Sequence, residues 1–71
     1  MTDQTFAVTG LTCEHCVHAV TTEVAALPGV RTVTVALEAG GTSTVNVTAD
    51  TPVSETQIAE ALDEAGDYRL A

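Results

Sequence analysis

The chain contains no lysine and no tryptophan, and apart from two histidines its only basic side chains are Arg31 and Arg69. Against them stand ten aspartates and glutamates, giving a formal charge of −8 over 71 residues. A surface of that sign repels polyphosphate and anionic headgroups, which argues against nucleic acid or an anionic membrane face as a partner. Aromatic residues are equally scarce, with Phe6 and Tyr68 alone. No stretch approaches the ~20 apolar residues that cross a bilayer, and "MTDQTFAV" lacks the basic start and apolar run of an export signal. A cytoplasmic protein without direct membrane insertion is expected. Neither a carboxylate pair, a nucleophile–base set nor a phosphate-binding loop stands out, so hydrolysis and group transfer are unsupported and an enzyme is not expected.

What the chain does have is valine and alanine at regular spacing. The hydrophobic share is 45%, and with a mean hydropathy of +0.24 this speaks for a folded chain despite the charge. The length suits a single domain over residues 1–71, near the lower limit at which one core holds without crosslinks, burying roughly 60% of the unfolded surface. "QTFAVTG" alternates with Phe6 and Val8 on one face and stops at Gly10, the pattern of a strand. From Thr12, the expected N-cap, the period changes. Val17, Val20, Val24 and Leu27 recur at helical steps until "PG" at 28 and 29.

Two alternating runs follow, Val33, Val35 and Leu37, then Val45 and Val47, split by Glu38 to Gly41 as in a hairpin. Ser54 with Gln57 forms a capping box ahead of Ile58, Ala61, Leu62 and Ala65, and Gly66 is placed to end that second helix. "DYRLA" suits a short final strand. The order is β-α-β-β-α-β, an α+β, ferredoxin-like fold with two helices on one face of a four-stranded antiparallel sheet. Phe6, Val8, Val20, Val24, Val33, Val35, Val45, Val47, Ile58 and Leu62 are expected in its core.

The chemistry lies in "GLTCEHCVHAV", residues 10 to 20, which holds both cysteines and both histidines. A Cys-x-x-Cys pair in a reducing compartment reads as a metal or redox site rather than a staple. Cys13 and Cys16 bracket the start of the first helix, where unpaired N–H groups and the helix dipole favour anions, and thiols so placed titrate at about 3.5–7.5. Two thiolates with no further ligand fixed by the backbone make a soft, low-coordination site that suits monovalent copper. Zinc would want a tetrahedron completed by His15 and His18, but side chains 13, 15, 16 and 18 point around the helix rather than at one centre. A zinc site shared with a second chain stays open, as does thiol–disulfide exchange, although no thioredoxin-like context surrounds the motif.

"GLTCEHC" at the first strand-to-helix junction of such a chain resembles the GMxCxxC motif of the heavy-metal-associated domain family, with likeness from Phe6 to Leu70. Within it the chain is most similar to the free-standing bacterial copper chaperones. The resemblance implies that Cys13 and Cys16 bind Cu(I) and hand it, by stepwise thiolate exchange, to a similar metal-binding domain of a copper-transporting P-type ATPase. It implies that Gly10 is the loop glycine and that Leu11, where the family usually has Met, supports the loop from beneath. Thr12 stands where zinc- and cadmium-type members commonly carry Asp, which favours copper.

In bacterial relatives a Tyr in the loop after the second helix approaches the thiolates. Here Asp67 follows Gly66 and Tyr68 comes one residue later, so either Tyr68 still reaches the site or the loop is rebuilt. His15 is an auxiliary candidate, a third ligand in a copper-bridged homodimer or transfer intermediate, balanced against a solvated helix position; His18 is read as solvated. Three alternatives remain beside the chaperone: the soluble metal-binding domain of such an ATPase, disfavoured by the initiating Met and the lack of linker sequence, a small thiol–disulfide redox protein, and a mercury carrier.

Overall fold

A computed structural model describes residues 1–71. Six elements follow one another: β1 (Thr2–Thr9), α1 (Glu14–Ala25), β2 (Val30–Ala36), β3 (Thr42–Ala49), α2 (Glu55–Ala65) and β4 (Arg69–Leu70). The sheet order is β2-β3-β1-β4, with every neighbouring pair antiparallel. This is the ferredoxin-like α+β architecture that the alternation of periods predicts.

β1 pairs along its whole length with β3, from Thr2 opposite Ala49 to Thr9 opposite Thr42. The period-2 pattern sets the faces: Phe6 and Val8 of β1 and Ser43, Val45, Val47 and Ala49 of β3 point inward, while Thr5, Ala7 and Asn46 meet solvent. β2 and β3 form the expected hairpin, Val33 opposite Val47 and Val35 opposite Val45. The two helices close the inward side with Val20 and Val24 from α1 and Ile58, Ala61 and Leu62 from α2.

Twelve apolar residues are buried, and Leu11, Ile58, Leu62 and five valines are among the largest side chains withdrawn from water. Each such Leu, Ile or Val contributes about 1.5–3 kcal/mol relative to an exposed position. Two of the expected core residues do not belong to this set. Val33 and Val35 are only half-buried, because β2 is the outermost strand and the helical layer does not fully cover it. Ala49 and Val53 are buried instead, beside Ala61 of the apolar stripe expected on the second helix. Val53 is held by the Gln4 side chain, whose amide donates to the Val53 carbonyl at 3.0 Å and accepts from its N–H at 2.7 Å.

α2 begins as the sequence indicates: the Ser54 hydroxyl accepts from the Gln57 N–H at 3.1 Å, and the Gln57 side chain accepts from the Ser54 N–H at 3.0 Å. α1 does not. Its N-cap is Cys13, not Thr12, and no side chain caps it. The chain stays extended through Cys13 (φ −157°, ψ 177°), so the Cys13 carbonyl is the first acceptor, taking the N–H groups of Cys16 at 3.1 Å and Val17 at 3.3 Å. The Thr12 hydroxyl faces the Cys16 sulfur instead.

Candidate metal site

The site grows out of the end of β1. Past Thr9 the chain turns at Gly10, whose φ of +101° lies where a side chain is strained. A Cβ there would also stand 2.9 Å from the Asp67 carbonyl oxygen and 3.4 Å from the Tyr68 ring. Only glycine lets the loops before α1 and after α2 approach this closely. Leu11 then plunges into the core with no exposure, as the family resemblance implies. With Leu11 buried, Thr12 and Cys13 are left on the surface, and Cys16 follows half-buried one helical turn on.

Both cysteines are free thiols, their sulfurs 3.9 Å apart. That is far beyond a disulfide bond of about 2.05 Å. It is within the span of one ion bonded to both, since two metal–thiolate bonds of about 2.3 Å, the zinc value, reach roughly 4.6 Å end to end. No group of three or more His, Cys, Asp or Glu side chains is arranged to hold a metal ion. His15 and His18 are exposed and do not complete a tetrahedron with the sulfurs. The arrangement offers two soft donors and an open approach, suited to a thiophilic cation of low coordination number or to attack by another thiolate.

Tyr68 stands close enough to Cys16 to act on its thiol. Gly66 ends α2 at φ 156°, ψ −149°, a conformation essentially reserved for glycine. It leaves the tyrosine ring lying against Gly66 on one side and Gly10 on the other: a Cβ on Gly66 would fall 3.0 Å from ring carbon Cε2. From this slot the Tyr68 hydroxyl is the first of the causes that lower the Cys16 thiol from 9.0 to about 6. Thr12 adds to the shift through its backbone and its hydroxyl, the latter 3.7 Å from the sulfur, while burial opposes it. In return the Tyr68 hydroxyl is raised above its usual value, first by the neighbouring Cys16 thiol and then by burial. Beside the helix start that the sequence suggested, whose Thr12 and Cys13 backbone also lowers the thiol, a tyrosine and a threonine hydroxyl favour the anion at Cys16. Thr12 was the residue whose part in this was missed; its spacing of four from Cys16 was the available signal.

The model of the heavy-metal-associated domain matches residues 5–67, which include the glycine turn, both cysteines and both helices. The chain belongs to the heavy-metal-associated domain family. It is 46% identical over 66 residues to the copper chaperone CopZ of Bacillus subtilis (strain 168), covering 93% of each chain. To the copper chaperone CopZ of Staphylococcus saprophyticus it is 40% identical over 67 residues, covering 93% of this chain and 94% of the other. Among solved structures, a CopZ metallochaperone superposes with a TM-score of 0.81 at 28% identity, over 99% of this chain and all of that one. The yeast copper transporter domain CCC2A, solved in apo and Cu(I)-loaded states, superposes at 0.68 with 26% identity, over 94% and 93% of the two chains. This heavy-metal-associated domain therefore shares its whole fold with proteins named for copper.

Proposed function

We propose that residues 1–71 form one heavy-metal-associated unit that acts as a cytoplasmic Cu(I) metallochaperone. Cys13 and Cys16 hold the ion, and ligand exchange passes it to the metal-binding domain of a copper-transporting P-type ATPase. The carrying observation is the pair of free sulfurs 3.9 Å apart on an open surface with no third donor grouped with them. Likeness to two copper chaperones over nine-tenths of the chain supports the choice of metal.

The site's chemistry fits release as well as capture. An incoming thiolate adds to the two-coordinate ion, making it three-coordinate, and one of the original bonds then breaks. As the Cys16 bond breaks, the sulfur leaves as an anion that the Tyr68 and Thr12 hydroxyls already accommodate, so no proton has to arrive first at neutral pH. The same openness would admit the thiolates of a second copy in a copper-bridged homodimer, against the mutual repulsion of two chains of charge −8.

Anaerobic titration of the reduced protein with Cu(I), in competition with a chromophoric Cu(I) chelator, tests the reading. One equivalent is expected to bind tightly, none in the variant with Cys13→Ser and Cys16→Ser, and Zn(II) is expected to bind more weakly in parallel. Tight Zn(II) with weak Cu(I), or catalytic reduction of a test disulfide by the reduced protein, would overturn it. A second reading, that the unit is the receiving domain of such an ATPase, draws support from the superposition on CCC2A. The direction of net transfer between the loaded protein and an isolated ATPase domain separates the two.

A further inference from the structure

Ser43 is the one polar residue among the thirteen that are buried, and it has no exposure. A buried hydroxyl needs a partner, and this one accepts from the Glu38 N–H at 2.9 Å. That bond holds the turn between β2 and β3, which the Gly41 N–H closes on the Glu38 carbonyl at 3.0 Å. From the same turn the Gly40 N–H donates to the Leu11 carbonyl at 3.3 Å. This is the only backbone hydrogen bond joining residues 10–12 to another part of the chain outside the strands and helices. Two residues further on is Cys13.

We propose that Ser43 is a positioning residue for the thiol pair. Through Glu38 and Gly40 it braces the Leu11 carbonyl and fixes the point from which the extended backbone enters Cys13. Gly10 and Leu11 are thereby held from two sides: by the Asp67–Tyr68 segment over Gly10, and by the Gly40 amide on Leu11. With Ser43 unable to accept, Glu38 loses its partner, the turn loosens, and Leu11 keeps its side chain in the core while its carbonyl and the following residues swing more freely. The sulfur separation then varies more than one bridging ion tolerates. The copper arm of the test rests on the function proposed above; the hydrogen-exchange arm does not.

The variants are Ser43→Ala, which removes the acceptor, and Gly40→Ala, which strains a backbone at φ +74° where an added Cβ meets no atom within 4 Å. The second keeps the test alive if the first fails to fold, since it leaves the core untouched. Amide hydrogen exchange of the reduced metal-free variants should show the amide at position 40 accelerated by about tenfold, the equivalent of one buried hydrogen bond, beyond any change in the β1–β3 ladder. Chelator competition should show Cu(I) affinity lowered by about tenfold, the low end of what losing a ligand-orienting partner costs. Equal acceleration of Gly40 and the ladder, with unchanged Cu(I) affinity, would reduce Ser43 to a hairpin clasp and overturn the proposal. Should the parent protein bind no Cu(I), the chaperone reading fails, and the exchange pattern together with the alkylation rate of Cys13 decides the brace: a faster Gly40 amide with altered Cys13 reactivity supports it, and no change in either refutes it.

Discussion

In the function proposed above, Cys16 is the residue on which protonation and metal chemistry meet. Its thiol is lowered to about 6 by the Tyr68 hydroxyl first and by Thr12 next. Tyr68→Phe keeps the ring between its two glycines and deletes only the hydroxyl, so the Cys16 midpoint, followed by the ultraviolet absorbance of the thiolate, should move from about 6 toward the ordinary 9.0. Thr12→Val should move it the same way by less, having lost the hydroxyl and kept the backbone contribution. The shift also sets a pH dependence of folding. Cys16 is more acidic folded than unfolded, so between about 6 and 9.0 the unfolded chain binds more protons and stability rises with pH. The contribution is fully present above 9.0 and gone below about 6. Urea midpoints of the reduced, metal-free protein should therefore increase across that window, and Cys16→Ser should flatten the slope.

At the scale of elements, the turn at Gly10 and the cap of α2 carry separable risks. Gly10→Ala combines a left-handed backbone with a Cβ 2.9 Å from the Asp67 carbonyl, a backbone atom that cannot step aside. It should cost about 1–3 kcal/mol in urea unfolding and displace Tyr68 from the thiols. Ser54→Ala removes the cap from α2 at about 1 kcal/mol and should leave Cu(I) affinity unchanged. The elements themselves were legible before any coordinates, because alternation with Phe6 and Val8, the helical steps of Val20 and Val24, and the Ser54–Gln57 pair are local patterns that the tertiary structure reinforces. Less legible was whatever depends on strand order. Val33 and Val35 alternate as cleanly as Val45 and Val47, yet only the latter pair lies on an inner strand. The cap of α1 was misjudged because Thr12 fits the preference for a hydroxyl, whereas its hydroxyl here faces a sulfur. Ser43 shared the inward parity of Val45 and Val47, so its burial could have been read from the alternation; its bond to Glu38 could not.

Across the whole molecule the charge is unevenly laid out. Glu14, Glu23, Glu55, Glu60, Asp63 and Glu64 all belong to the two helices, which carry no lysine or arginine, while Arg31 and Arg69 lie on strands and Arg31 is already paired with Asp50. In a body of 31 × 19 × 19 Å, charges at opposite ends still feel each other when the Debye length is about 30 Å, at about 0.01 M salt. Raising the salt to about 0.15 M shortens that length to about 8 Å, which should relieve the helical layer and increase the thermal midpoint of the metal-free protein. A decrease would mean that attractive pairs, not repulsion, dominate the surface.

The pairing of β1 with β4 joins Val8 to Leu70 and Thr9 to Arg69, so the loop bearing the cysteines and the residue that tunes Cys16 come from opposite ends of the chain. On the ribosome that distance becomes time. Cys13 and Cys16 leave the exit tunnel before β3, the main partner of β1, and Tyr68 emerges later than either. During that interval the nascent chain carries two thiols with neither the tyrosine nor the supporting core, and any metal or oxidant that meets them then meets ordinary unfolded cysteines rather than the finished site.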